Sequence, residues 1–265
     1  MEKAINSKAI SLLVMISFVL MVSINALANI LPLNGINTGA VSNSLPNLFA
    51  PAGITFTIWG VIYLLLGAYT IYQWKNPCFK KVAVWFIISS LANAAWIFSW
   101  HYFVLPVSMV LMVLILISLI IINQELRKSA LTKNQKIFLR LPFSVYFGWI
   151  TVATIANATA LLVYLKWDGF GISQQIWTII MIFVGLIISI AVTIKNNDIA
   201  YACVILWAYF GILYKHLLHA SAGGFGGEYR GVIIAVLISL IIIMISIIFI
   251  QRRTININAI TRERY

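Results

Sequence analysis

The sequence predicts an all-α fold, a polytopic transmembrane helical bundle of about eight spans. Hydrophobic residues make up 62% of the 265 residues and charged residues only 9%, whereas a soluble domain is about 45–50% apolar and about 25% charged. The apolar residues form runs of about 20, the length that crosses a bilayer as a helix. Basic residues collect between alternate runs, as they do in membrane proteins of fixed orientation.

Eight apolar segments qualify as spans, and turn-forming residues separate them. The breaks include Asn76-Pro77, the polar run 195–198 and the glycine-rich run 223–227, all of which are typical of turns and loops. The longest predicted connections are residues 30–51 and 124–141. The predicted spans are residues 9–29, 52–73, 82–103, 105–123, 142–165, 174–194, 199–218 and 231–250.

The distribution of Lys and Arg predicts the orientation. If the N-terminus is cytoplasmic, 15 of the 18 basic residues lie inside, and only Lys166, Lys215 and Arg230 lie outside. Because cytoplasmic segments carry excess Lys and Arg, we expect a multi-pass protein of the plasma membrane with both termini cytoplasmic. Basic residues placed between apolar runs also favour membrane lipid over nucleic acid as the partner of a chain with net charge +12.

The first span has a second interpretation. Lys3 and Lys8 precede an apolar stretch that ends in Ala26-Leu27-Ala28, which resembles a signal peptide with a small-residue cleavage site. The stretch of about 20 residues is longer than the usual 7–15. Cleavage of residues 1–28 therefore stays an alternative to a retained first span, and it leaves the orientation of the other spans unchanged.

Several classes of activity find no support in the sequence. It contains no nucleotide-binding loop and none of the common hydrolase or metalloprotease motifs. No Asp, Glu, Lys or Arg lies at the centre of a span, although ion-coupled transporters usually carry such residues there. Asn, Ser and unwound backbone also bind Na⁺, so a transporter stays open.

Aromatic residues are abundant, with nine Trp, eleven Tyr and fifteen Phe. Trp and Tyr collect at bilayer interfaces, and four Trp near predicted span ends fit such a belt: Trp74, Trp100, Trp167 and Trp177. Four others lie within spans: Trp59, Trp96, Trp149 and Trp207. The inner group serves either helix packing or the wall of a cavity for a flat apolar ligand.

Three motifs resemble the TspO/MBR family, the tryptophan-rich sensory proteins related to the mitochondrial translocator protein or peripheral benzodiazepine receptor. Residues 47–72 contain a proline followed by Ile58-Trp59-Gly60-Val61-Ile62-Tyr63 and Gly67, similar to the family's Val-Trp-x-x-Leu-Tyr signature. Leu91-Ala92-Asn93-Ala94-Ala95-Trp96 is similar to a motif of its third helix. Trp149 and Asn157 keep the spacing of its fifth helix.

The resemblance implies a five-helix unit, which we assign to residues 1–168, followed by three additional helices and a basic tail in residues 169–265. It also implies an intramembrane pocket for a porphyrin or a sterol. The residues that match the family motifs are the candidate ligand-binding residues: Trp59, Tyr63, Asn93, Trp96, Trp149 and Asn157. The chain departs from the family pattern at Ile54 and Thr57, at Pro142, and at residues 165–168.

The candidate residues fall at similar depths in their helices. Trp59, Trp96 and Asn157 each lie seven or eight residues from the outer end of a predicted span, which is about 11–12 Å. They are therefore expected to line one cavity that opens toward the outer leaflet. Asn93 and Asn157 have an alternative role, since Asn within a membrane often hydrogen-bonds between helices.

All three histidines are expected on the outer side. His216 and His219 lie three residues apart on one helix face, and with His101 they form a candidate site for a metal or for haem iron. Packing at the interface is the alternative. A pair between Lys215 and Asp168 or Glu228, the two outer acids, is a further alternative for this region.

Three hypotheses for function follow. The first is a receptor or carrier for a hydrophobic planar ligand, with a porphyrin or haem as the leading class and a sterol or other lipid next. The second is a secondary transporter of small solutes. The third is a membrane enzyme acting on a lipid or pigment, with the outer histidines and Asp168 as acid–base groups. The sequence allows a homo-oligomer and leaves open whether the protein is an enzyme.

Overall fold

The structure, a computed structural model, describes residues 2–31, 33–45 and 47–262, and within these it describes side chains from residue 8 to residue 253. Nine helices and no strand are found among these residues. They are α1 (Glu2–Ile30), α2 (Thr38–Ser44), α3 (Ile58–Lys75), α4 (Lys80–His101), α5 (Leu105–Lys128), α6 (Lys133–Tyr164), α7 (Gln174–Asn196), α8 (Ile199–Leu217) and α9 (Arg230–Arg262).

Eight of these helices are long and apolar enough to cross a membrane, which confirms the predicted number and order of spans. Only α2 is short. The all-helical fold is therefore that of a multi-pass membrane protein. The basic residues Lys3, Arg262 and Arg264, which contributed to the predicted orientation, lie outside the residues whose side chains are described.

The predicted 124–141 loop is much shorter in the structure. Helix α5 continues to Lys128, and α6 begins at Lys133. A reciprocal capping box starts α6, because the Thr132 hydroxyl accepts the Gln135 N–H and the Gln135 side chain accepts the Thr132 N–H. One π-helical turn, Lys136–Arg140, precedes Pro142; a proline inside a helix removes one backbone donor and displaces the preceding turn.

The polar breaks of the sequence end and start helices as predicted. Asn197 adopts a left-handed conformation at the C-terminus of α7, and the Asp198 side chain accepts the Tyr201 N–H to start α8. Ser173 caps α7 in the same way. The glycine-rich run forms part of the connection between α8 and α9, where Gly223, with φ 79, occupies the left-handed region.

Five helices form a closed ring. Helix α1 contacts α3 and α4, α4 contacts α5, α5 contacts α6, and α6 returns to α3. Outside the ring, α8 packs on α6, and α7 and α9 pack with α8 and with each other. The ring contains the five spans assigned to residues 1–168, and α7–α9 are the three assigned to residues 169–265; the boundary itself stays a prediction.

The bundle has two distinct ends. We call one the loop end: it carries the connections 31–57, 102–104, 165–173 and 218–229. We call the other the terminal end: it carries the shorter connections, and the even number of spans places both chain termini there. The predicted 30–51 connection contains helix α2, and residues 33–57, here called the capping segment, pack on the ring at the loop end.

Cys78, in the connection between α3 and α4, provides a test of the predicted orientation. In a Cys203→Ala background, a membrane-impermeant maleimide is expected to label Cys78 in inverted vesicles and not in intact right-side-out vesicles. Partial burial raises the pKa of the Cys78 thiol, so the thiolate fraction is lowered at neutral pH and labelling should accelerate as the pH approaches 9. Labelling in right-side-out vesicles and not in inverted vesicles would show the opposite orientation.

Candidate ligand-binding site

Trp59, near the start of α3, lies at the centre of a group of aromatic side chains. Its ring stacks on Tyr63 with centroids 5.5 Å apart. Tyr146 and Trp149 of α6 present their edges to it at 5.9 and 6.2 Å, and Trp96 of α4 lies at 6.4 Å. Four residues that the sequence singled out, Trp59, Tyr63, Trp96 and Trp149, therefore meet from three helices.

Two further rings extend this group. Phe56 of the capping segment presents its edge to Trp149 at 5.7 Å, and Trp100 stacks on Trp96 at 5.6 Å. Such ring pairs stabilise beyond the area that they bury, by about 0.5–1.5 kcal/mol each. We call Phe56, Trp59, Tyr63, Trp96, Tyr146 and Trp149 the Trp59 cluster; Trp100 lies next to it, against Trp96.

A chain of polar side chains supports the Trp59 cluster. Asn25 of α1 donates to the Asn93 side-chain oxygen at 2.8 Å, and the Asn93 amide donates to the Tyr146 hydroxyl at 3.1 Å. Asn93 is fully buried. It joins three helices and orients Tyr146 against Trp59, so the interhelical role that the sequence left open for Asn93 is the one observed.

A cavity of about 530 Å³ lies beside the cluster at the loop end. We call it the Trp59 cavity. Phe56, Trp59 and Tyr63 form its aromatic wall. Four amide side chains also line it: Asn25, Asn29, Asn37 and Asn43. Its size falls in the usual range for small-molecule sites, and an apolar wall with a few polar groups is their usual composition.

Two indole N–H groups of the Trp59 cluster have no partner among the described residues. Trp96 Nε1 and Trp149 Nε1 are both buried without an acceptor. Buried polar groups are almost always hydrogen-bonded, because an unpaired donor costs about 1–3 kcal/mol. Neither Trp96 nor Trp149 lines the cavity; both indoles pack behind its aromatic wall.

The capping segment is fastened to α4 at its first half. The His101 ring bonds the Thr38 hydroxyl through Nε2 at 3.0 Å and the Leu33 carbonyl through Nδ1 at 3.1 Å. The Asn34 amide donates to the His101 carbonyl, and Trp100 Nε1 donates to the Thr38 carbonyl. His101 therefore holds backbone over the cavity, and both of its ring nitrogens are engaged.

The second half of the capping segment is fastened to α8. Three of the contacts come from Trp207, Gly211 and Lys215, which lie at four-residue intervals and hence on one face of α8. A fourth comes from His216, whose Nε2 bonds the Leu48 carbonyl at 2.9 Å. The other pairs are Trp207 Nε1 to the Thr55 carbonyl at 2.9 Å, the Gly211 carbonyl to the Ala52 N–H at 3.0 Å, and Lys215 Nζ to Asn43 Oδ1 at 3.1 Å.

The structure does not bring the three histidines together. His101 and His216 each bond a different part of the capping segment, and His219 bonds Ser221 in its own loop. No group of three or more potential metal ligands occurs among the described residues. Lys215 bonds Asn43 and lies over the Phe225 ring at 5.6 Å; it forms no ion pair with Asp168 or Glu228.

Asn157 lies apart from the other candidate residues. Its amide donates to Ser108 Oγ on α5 at 2.9 Å, so it joins α5 and α6 on a different face from the cavity. Eight residues correspond to about 80° of rotation around a helix, which separates Asn157 from Trp149. Depth along a helix does not fix the direction of the side chain around it, so the depth argument could not predict this contact.

Sequence reasoning missed several residues of the site. Asn25 and Asn29 are one turn apart in a span whose other polar residues are three serines, and this spacing was a usable signal. Tyr146 and Phe56 had no distinguishing pattern. Trp100 was expected in an interfacial belt, but it is only 5% exposed, because it packs on Trp96 and bonds the capping segment.

Eight apolar helices and an aromatic cavity at one end of the bundle define an integral membrane protein whose architecture suits ligand binding. The sequence model of the family described as TSPO-like protein matches residues 11–250. The chain therefore belongs to the TSPO-like protein family, which confirms the resemblance. The match runs through all eight spans and beyond the five that carried the motifs. No curated protein and no solved structure is significantly similar to the chain.

Proposed function

We propose that this protein is a membrane receptor or carrier that binds a hydrophobic planar ligand in the cavity beside the Trp59 cluster. The leading class is a porphyrin or haem, and a sterol or other lipid is the next. The observation that carries the proposal is a cavity of about 530 Å³ walled by Trp59 and Tyr63, with Trp96 and Trp149 packed against Trp59 behind that wall.

The lining of the cavity supports an amphipathic ligand. A flat ring system stacks favourably on an aromatic wall, here Phe56, Trp59 and Tyr63. The side-chain nitrogens of Asn37 and Asn43 can donate to polar substituents of the ligand, while their oxygens accept from the Ala40 N–H and from Lys215. A ligand of this kind would bury its ring against the wall and keep its polar groups toward the capping segment.

A titration of the purified protein with protoporphyrin IX tests the proposal. We expect saturable quenching of tryptophan fluorescence, because Trp59 lines the cavity. Tyr63→Leu should weaken the apparent affinity about tenfold by removing the ring that stacks on Trp59. Asn157→Ala is the matched control and should leave the affinity unchanged, since Asn157 faces α5.

A sterol serves as the comparator ligand in the same titration. Tighter binding of the sterol, with the same loss in Tyr63→Leu, would assign the site to the second ligand class. Linear quenching that is identical in both variants would indicate partition into micelles, and it would contradict ligand binding at this cavity.

A further inference from the structure

A second cavity, of about 360 Å³, lies at the loop end between α6 and α7. We call it the α6–α7 cavity. Leu48 and Phe49 of the capping segment close one side, and no residue of the Trp59 cluster lines it. It is therefore separate from the proposed porphyrin site.

The α6–α7 cavity is polar at its mouth and largely apolar inside. Lys166 and Gln174 lie at the mouth, and Ala158 and Met181 lie at the inner end. From Ala158 to Lys166 along α6, and from Gln174 to Met181 along α7, the depth is about 11 Å in both helices. This length accommodates a large part of an alkyl chain.

Two tryptophans at the mouth are held in place. The rings of Trp167 and Trp177 lie 5.0 Å apart, and Trp177 Nε1 donates to the Gly169 carbonyl at 2.9 Å. Leu162 and Ile172, which line the cavity, are more than one-third exposed, so an amphiphile would enter beside these two residues.

Lys166 supplies a cation without a partner. Among the described residues, its ammonium has neither an ion pair nor a hydrogen bond. The neighbouring Asp168 carboxylate already accepts the Phe170 N–H at 3.1 Å. Asp168 also lines this cavity, so an anionic group is favoured where it approaches Lys166 and lies away from Asp168.

The backbone at Lys166 provides an independent observation. Lys166 has φ 53 and occupies the C′ position of a Schellman motif, in which Lys166 N bonds the Val163 carbonyl and Trp167 N bonds the Leu162 carbonyl. Glycine is the usual residue there, because a side chain at positive φ costs free energy. A lysine therefore occupies a position that favours glycine, and its side chain lies at the mouth of the cavity.

We propose that the α6–α7 cavity binds one alkyl chain of an anionic amphiphile, with the chain running toward Ala158 and Met181 and the anionic head group at Lys166. The chemistry fits a free fatty acid or one chain of an anionic phospholipid. The site does not depend on the Trp59 cavity, so either proposal can fail alone.

Scintillation proximity binding of radiolabelled palmitate to the full-length protein in neutral detergent tests this site, with radiolabelled hexadecanol as the uncharged comparator. Palmitate should bind saturably and hexadecanol at least tenfold more weakly. Lys166→Gly should lower the affinity for palmitate about tenfold through loss of a charge-assisted contact. The same variant should melt at the same or a higher temperature, because glycine relieves the positive φ.

Two further variants complete the experiment. Ala158→Leu should lower palmitate affinity by filling the inner end, and Lys133→Gln, an exposed lysine at the terminal end, should have no effect. Palmitate binding that is unchanged in Lys166→Gly and in Ala158→Leu would overturn the proposal, as would equal affinity for hexadecanol.

Competition identifies the source of the amphiphile. Displacement of palmitate by phosphatidylglycerol at lower concentrations than by unlabelled palmitate would assign a phospholipid, and the reverse order would assign a free fatty acid. Equal displacement by zwitterionic phosphatidylcholine would contradict recognition of an anion.

Discussion

Replacement of Gly211 by valine is expected to displace the capping segment and to abolish ligand binding at the Trp59 cavity. A Cβ atom at Gly211 would lie within 3 Å of several Thr55 side-chain atoms. The Gly211 carbonyl also accepts the Ala52 N–H, so the segment cannot move away without losing that bond. We expect a loss of about 2–3 kcal/mol in stability, as for other overpacked sites, and a more than tenfold loss of porphyrin affinity.

Gly60→Ala is the matched control for Gly211→Val. Gly60 lies in α3, and a Cβ there meets nothing within 4 Å. Alanine in a helix is favoured over glycine by up to about 1 kcal/mol, so this variant should be as stable as the parent or more stable. Stability is measured by SDS unfolding in mixed micelles, followed by circular dichroism. Full binding by Gly211→Val would show that the capping segment does not depend on α8.

Replacement of Trp59 by alanine is expected to cause the second large effect. Trp59 contacts four aromatic rings, so its removal leaves a void at the centre of the Trp59 cluster. Truncation of a packed Trp to Ala costs about 3–5 kcal/mol in protein cores, and because Trp59 is only partly buried we expect about 3 kcal/mol. Porphyrin affinity should fall more than tenfold, because the aromatic wall loses its largest member.

Trp74→Ala separates the site from the general effect of losing a tryptophan. Trp74 lies in the same helix, is 48% exposed and has no ring contact among the described residues. It should change stability by less than 1 kcal/mol and leave porphyrin affinity intact, in the same unfolding and titration assays. An equal loss in both variants would mean that the Trp59 cluster has no special role.

The spans were predictable because the bilayer imposes a length and a composition on each helix. Their predicted ends agree closely with the structure at most positions. The largest error, at 124–141, arose because polar and basic residues continue the ends of α5 and α6 as helix. Hydropathy falls there, whereas helix propensity and the Thr132 capping box keep the backbone helical.

The candidate site was predictable only in part. Motif and depth together brought out Trp59, Tyr63, Trp96 and Trp149, which do meet. Depth fixes a position along a helix, but contact also requires a shared direction around it, and Asn157 fails that second condition. The fastening of the capping segment by α8 depends on contacts more than 150 residues apart, such as Trp207 with Thr55, and no local pattern encodes them.

The fastening of the capping segment to α8 has an energetic consequence. Three hydrogen bonds from one helix face join the capping segment to α8. A ligand that moves the segment must therefore also move α8 or break these bonds. Such coupling is reciprocal: any partner that shifts α8 changes ligand affinity by the same factor as the ligand changes the affinity of that partner. If the proposed ligand binds, α8 and the two helices packed on it would therefore influence the binding equilibrium from outside the ring.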